Sequence, residues 1–415
     1  MQDNPLLEQL DWFFTSVDWI SVYPMTEVLP LARTASDHVP CVVTIKTSIP
    51  KSNLFRFENY WLELEGFMDC VAKSWKMPSR KGHITARIAE KFKSLRMCLK
   101  RWQMNVSKLK LLIGKCNLVI LLLNDLEEWR PLFIQELNFR KIVKVHLEKL
   151  LHLQFLYWKK RCTIRYIKVG GQNTKFFHAM ATERHRRNSI ASLKLPDGTV
   201  INDHAQMEGI IWNCFKNRMA TSRGIVMGFD LSALLTPVAG LDILTKPFEK
   251  EEMDKVVQHM PIDKAPGPDG FTGAFFKECW EIVQPEIMEV INNFSNLHVS
   301  NLHWLNSANI ALIPKKDGAE DISDFRPISL IHGIAKIIAK MMATRLTPHM
   351  HKLVSNAQSA FIKKRSIHDN FMYVRNLARR LHRNRTPSLL FKLDIRKALD
   401  SVRWEYILDL LRRLG

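Results

Sequence analysis

The chain has 415 residues, 46% of them apolar and 25% charged, with 61 Lys and Arg against 41 Asp and Glu for a formal net charge of +20. This is the composition of folded protein, too long for one core and suggestive of two or three domains. The charge excess points to a polyanion, most often nucleic acid, and no lipidation signal or basic amphipathic terminus favours a membrane surface instead.

The start, MQDNPLLEQL, lacks the basic and apolar regions of a signal peptide. Residues 1–50 are broken by prolines at 5, 24, 30, 40 and 50, and SDHVPCVVTI (36–45) reads as a turn and a short strand. From about 85 to 160 Pro131 stands alone, and apolar residues at helical spacing predict long helices flanking it. The apolar run LVILLL (118–123) is far short of the roughly 20 residues a membrane span needs and reads as a buried helix segment. Seven cysteines, the closest pair eighteen residues apart, suggest neither a zinc knuckle nor a disulfide framework and fit reduced intracellular thiols.

Between 156 and 190, nine Lys and Arg face one acid, Glu183, with Tyr157, Trp158, Tyr166, Phe176 and Phe177 interleaved. That mixture suits stacking on bases and contact with phosphates. ASLKLPDGTVIND (191–203) predicts a hairpin turning at Asp197-Gly198. Residues 221–247 read as a linker, and FEKEEMDKVVQHM (248–260) as an amphipathic helix with an acidic first turn.

DKAPGPDGFTGAFFKECW (263–280) predicts a rigid irregular loop before a helix. NIALIPKKDGAEDISDFRPISLI (309–331) predicts a hairpin with a basic tip. Its Lys315, Lys316 and Arg326 are either solvated turn charges or contacts for a triphosphate. In LLFKLDIRKALDSVRW (389–404), alternation puts Phe391, Leu393 and Ile395 on one strand face, with Lys392 and Asp394 on the other. Leu399, Val402, Tyr406, Leu410 and Leu414 then follow at helical spacing. Asp394 is either a metal-holding carboxylate at a strand end or an ordinary helix cap, and Asp400 suits a first helical turn.

Taken together, KAPGPDGF, IALIPKK, DFRPISLI, QSAFI (358–362) and FKLDIRKALDSVRW resemble, in order and spacing, the reverse transcriptase of LINE-type (non-LTR) retrotransposons, most closely the plant kind. Upstream, GGQNTKFFH (170–178) resembles the region between endonuclease and polymerase in that family. SVDWISVYP and LPLARTASDHVP resemble the end of an apurinic-type endonuclease. The resemblance implies an α+β chain: residues 1–50 an α/β endonuclease remnant, 51–235 a basic, mainly helical linker, and 236–415 the fingers and partial palm of a right-hand polymerase. It makes Asp394 the first palm ligand for magnesium and assigns Lys315 and Arg326 to the incoming dNTP's phosphates. Gln358 and Arg365 fall to the RNA template, paired with a DNA primer. Asp37 and His38 become a relic of the endonuclease site.

The departures are specific. Leu399 stands where the family has an aromatic wall against a 2′-hydroxyl, and Lys364-Arg365 where it has Gly-Arg. No [YF]xDD motif occurs in the 415 residues. It is expected beyond position 415, with the thumb, so the sequence reads as a truncated copy. A single carboxylate does not position two divalent ions, and LLFKLDI, without neighbouring palm strands, has an unpaired edge. The expectation is a family reverse transcriptase that is inactive as this chain alone, intracellular, nuclear or cytoplasmic. The alternatives are a non-catalytic RNA- or DNA-binding protein and a retrotransposon-derived pseudogene product.

Overall fold

The computed structural model describes residues 13–16, 19, 23, 26–30, 41–45, 53–106, 108–162, 174–190, 192–219, 230–298, 301–316, 318–393 and 402–415. Near the N-terminus β1 (Glu27–Pro30) pairs antiparallel with β2 (Cys41–Thr44), so the strand read in SDHVPCVVTI is present. Five helices follow: α1 (Phe67–Trp75), α2 (Ile84–Val106), α3 (Leu109–Trp129), α4 (Ile134–Cys162) and α5 (Thr174–Asn188). In α2, Ile88, Phe92, Leu95 and Leu99 recur every three or four residues, and all four are buried. α3 and α4 flank Pro131 as expected and fold back on each other. Arg130 closes the turn with a bidentate pair to Glu136 (2.7 and 2.9 Å), and Arg140 of α4 reaches back to Glu127 of α3.

The LVILLL run is helical, but the buried reading needs correction. Leu118, Leu121 and Leu122 are exposed, and Leu123 alone of the six is fully buried. Two packed helices cover one stripe of each other, so α4 shelters a single face of α3.

β3 (Leu193–Lys194) and β4 (Val200–Ile201) form the hairpin expected at Asp197-Gly198. Next come α6 (His204–Met219), α7 (Lys250–Gln258, with Glu251 and Glu252 in its first turn), α8 (Gly273–Glu278) and α9 (Trp280–Ser295). β5 (Ala308–Pro314) and β6 (Phe325–Ile331) pair antiparallel from Ala308↔Ile331 to Pro314↔Phe325, the expected hairpin. The chain continues through α10 (Gly333–Leu346), α11 (Met350–Leu353), α12 (Ile367–Arg383) and α13 (Trp404–Leu414). Long helices with small two-stranded sheets make the described chain α+β.

The strand expected across LLFKLDI is not formed in its described part. Residues 389–393 have no regular structure, and Leu389, Leu390, Phe391 and Leu393 are exposed. A strand's amides and carbonyls are satisfied by a neighbouring strand, and none lies beside this segment among the described residues. Asp394 itself lies outside the described residues.

Two compact units result, each assembled from separated stretches. One comprises Met1–Met207, Val257–Ile287 and Ser300–Gly333; the other Glu208–Val256, Met288–Val299 and Ile334–Gly415. The first is built on an aromatic cluster. Phe271 and Phe275 stand 4.2 Å apart, Phe57 meets Phe275 at 5.5 Å, Phe92 meets Phe271 at 5.3 Å and Trp75 meets Phe92 at 5.1 Å. Each such pair adds about 0.5–1.5 kcal/mol beyond its buried area. At the edge of this core Glu286 accepts from Trp75 Nε1 (2.9 Å) and pairs with Lys91. In the second unit Arg345 plays a comparable part. It donates to Glu252 (2.6 and 2.8 Å) and to the carbonyls of Lys246 and Pro247, and lies 4.1 Å over the Phe248 ring.

The loop before α8 fixes the first unit most tightly. Gly270 has φ +82, and a Cβ there would stand 2.7 Å from the Phe55 carbonyl oxygen. A Cβ on Gly267 would overlap the Ile331 carbonyl. In urea unfolding, Gly267→Ala is expected to lower stability by about 2–4 kcal/mol. Gly209→Ala, in open space inside α6, should raise it by about 0.5–1 kcal/mol. A second prediction concerns acid. Burial opposes ionisation of Glu286, but the bonds from Lys91 and Trp75 outweigh it and hold its carboxyl below the usual range. Its contribution is therefore present above the unfolded carboxylate value and is lost as pH falls through the depressed value. Glu286→Gln should flatten the loss of stability between about pH 5 and pH 3, measured by denaturation at each pH.

Candidate nucleic-acid and nucleotide interface

Lys315 and Arg326 come together on the β5–β6 hairpin. Arg326 pairs with Ile313 in the ladder, and the Lys315 amide bonds to the Asp324 carbonyl (2.8 Å), extending the register by one residue. Strand alternation continued through Lys315 puts it on the face that carries Arg326. Both side chains are exposed. The Lys315 ammonium donates to the Ser323 carbonyl (2.6 Å), and Lys316 pairs with Asp324 (3.0 Å). Asp321 accepts from the Ser323 amide (2.7 Å), which holds its carboxyl below the usual range and fixes the return of the chain into β6. Two cations thus stand on one ribbon face, held by backbone bonds on both strands. Such a face can receive a polyphosphate.

The hairpin's far end is set by a residue that sequence reading treated as part of a turn. Asp269, 1% exposed, accepts from the amide of Gly333, the first residue of α10, and from Phe271 (3.3 Å). Arg96 donates to the carbonyls of Pro268 (2.9 Å) and Asp269 (3.1 Å). Burial lowers the Arg96 pKa, and the Asp269 charge opposes that shift. His332 bonds Ser307 (2.9 Å) and stands 3.9 Å from Asp269. An acid between proline and glycine was the only local signal; its partners lie 64 and 173 positions away.

Gln358 and Arg365 belong to the second unit and come together there. Arg365 donates to the carbonyls of Ser355 (2.5 Å), Gln358 (2.7 Å) and Val354 (3.0 Å) and to Asn356 Oδ1 (3.3 Å). Its guanidinium staples its own loop. Gln358 donates to the Ala360 carbonyl (3.1 Å) and is exposed. Lys364, where the resembled family has glycine, sits at φ +68, a conformation that favours glycine.

α12 follows this loop and was not singled out from sequence. Ser366 caps it by accepting from the His368 amide (3.1 Å). No residue of the helix is buried. Arg375, Arg379 and Arg383 recur every four residues and line one side, while Phe371, Val374 and Leu377 are also exposed. The signal was available in composition: residues 363–385 hold eight Lys and Arg against one acid, Asp369.

The basic segment 156–190 is partly absorbed into the fold. Lys160 donates to the Phe57 carbonyl (2.6 Å) and Asn59 (3.2 Å), and its pKa is lowered by burial. Arg161 pairs with Glu58 (2.7 Å) and stacks 3.4 Å over Tyr157. Phe177 is buried against Phe155, whereas Phe176 is exposed. Tyr166 falls outside the described residues, as do Asp394, Leu399, Asp37 and His38. Among the described residues no three potential ligands cluster to hold a metal ion. No described helix is long and apolar enough to cross a membrane.

Arg365→Ala is expected to cost about 1–2 kcal/mol through its lost bonds, and to raise amide exchange in 354–365. Arg365→Lys should not restore protection, because an ammonium cannot span the four acceptors.

Residues 313–415 match the model of the family described as reverse transcriptase (RNA-dependent DNA polymerase). The transposon TX1 uncharacterized 149 kDa protein of Xenopus laevis is 25% identical over 411 residues, covering 91% of this chain and 29% of that protein. The Pol polyprotein of the type-2 retrotransposable element R2DM of Drosophila melanogaster is 29% identical over 164 residues, 40% of this chain and 15% of that protein. That of the type-1 element R2 of Nasonia vitripennis is 29% identical over 170 residues, 41% and 16% respectively. The chain spans less than a third of the curated relatives it matches.

Proposed function

We propose that residues 236–415, of which 313–415 match the reverse transcriptase family model, supply the fingers and the start of the palm of a LINE-type RNA-directed DNA polymerase. The observation that carries this is the shared face of Lys315 and Arg326 within the matched segment. There the guanidinium grips triphosphate oxygens in a fork and the ammonium acts as a compact charge. Gln358 contacts the RNA template opposite a DNA primer. Arg365 serves the template by holding the loop that presents Gln358. Asp394 is the first palm carboxylate for magnesium, and Leu399 leaves the sugar wall incomplete. Residues 1–50 are the C-terminal part of an endonuclease domain that includes Asp37 and His38, and 51–235 a helical linker.

Asp394 by itself does not fit a magnesium pair. Two divalent ions about 3.5–4 Å apart need several shared carboxylates, and Asp394 is one. In primer extension with an RNA template, magnesium and dNTPs, this chain by itself should give no product. Template-dependent product abolished by Asp394→Asn would overturn that expectation.

A second reading, binding of RNA or DNA without chemistry, is favoured by the exposed arginines of α12. RNA affinity should fall steeply with salt. Replacing Arg379 and Arg383 with Gln should reduce the log–log slope by roughly 1.4, at about 0.7 per phosphate contact for single strands. Absence of binding at low salt would remove both readings.

A further inference from the structure

Residues 111, 115, 118, 122, 125 and 129 of α3 recur in alternating steps of four and three, the spacing of a coiled-coil seam. They read Leu, Lys, Leu, Leu, Asp, Trp. The seam faces away from α4. The other side of α3 carries the buried Leu123, with Glu127 bonded to Arg140 of α4. On the outer side Leu111 is 53% exposed, Leu118 58%, Leu122 53% and Trp129 88%, and Lys115 and Asp125 are exposed between them.

The seam is its own mirror image. Counted outward from residue 120, Leu118 corresponds to Leu122, Lys115 to Asp125 and Leu111 to Trp129. We infer that α3 pairs with α3 of a second copy of this chain, antiparallel about residue 120. The leucines and Trp129 are buried, and Lys115 of each copy meets the partner's Asp125. The contact is isologous, so each favourable pair occurs twice, and the overlap from 111 to 129 runs roughly 27 Å at about 1.5 Å per residue.

The charge arrangement selects this occupant. A membrane would desolvate Lys115 and Asp125 without pairing them. An unrelated protein gives no reason for opposite charges at equal distances from one centre. Self-pairing in antiparallel register does.

Sedimentation of the full chain over a concentration series tests this. The wild type should show a monomer–dimer equilibrium. Lys115→Asp or Asp125→Lys alone replaces two attractive pairs with two repulsive ones and should raise the dimer Kd roughly tenfold. The two single variants mixed in equal amounts should dimerise with each other, and the double variant should recover wild-type affinity. Both positions are exposed, and unchanged helix content confirms folding. A wild type that stays monomeric overturns the inference, as does a dimer indifferent to either charge or single variants that fail to rescue each other.

Discussion

The first unit depends on a carboxylate that water does not reach. An unpaired charge as buried as Asp269 would cost several kcal/mol, and the fold answers it from three directions. The amides of Gly333 and Phe271 donate to it directly, and the Gly333 amide belongs to a helix N-terminus, where backbone donors and the helix dipole favour negative charge. Arg96 supplies positive charge while bonding the loop's carbonyls. The glycines then remove freedom of position: side chains at 267, 270 or 333 would overlap Ile331, Phe55 or Phe276. The end of β6 is thereby fixed. Because the β5–β6 register runs unbroken from that end to Pro314↔Phe325, the placement of Arg326 and Lys315 follows from a buried acid outside the family-matched segment.

Much of the fold was legible because its signals are local. The hairpin at 193–201 follows from its Asp-Gly turn, that at 308–331 from two apolar runs around a basic tip, and α2, α7 and α13 from apolar spacing. What failed was local as well, but needed a partner to decide it. LVILLL is as apolar in a half-covered hairpin as in a core, and only the packing of α4 tells the two apart. LLFKLDI alternates like a strand, yet alternation describes faces and supplies no neighbour to bond. In the candidate site, Lys315 and Arg326 could be grouped from the motif because one hairpin joins them. Asp269 could not be assigned, because Arg96 is 173 positions away.

The same distance problem affects charge. A net charge of +20 counts every cation alike, whereas the fold divides them into two populations. Arg96, Lys160, Arg161, Arg345 and Arg365 are tethers, directed at backbone carbonyls or paired with acids on other segments. Their removal would loosen the protein before it altered any ligand. Arg375, Arg379 and Arg383 are exposed along one side of a helix that buries nothing. The interleaved segment 156–190 looked the more inviting in sequence, yet Tyr157 and Phe177 stack within the protein. Composition therefore measures the potential for binding a polyanion, and tertiary structure determines where it remains available.

Arg365 and Lys364 carry that distinction to a single turn. Phe361 and Lys364 both have positive φ, +65 and +68, so the chain reverses tightly and Arg365 points back at the carbonyls it has just passed. Four acceptors between Val354 and Gln358 lie within its reach. An amide-rich loop with few apolar contacts would otherwise rest on weak, solvent-competed bonds, and a planar guanidinium is the side chain able to span several acceptors at once. Lys364 and Arg365 thus divide the labour: the first residue makes the backbone reversal and the second fastens it. Lysine at 364 keeps the reversal at a conformational cost, and the four bonds of Arg365 hold it in place.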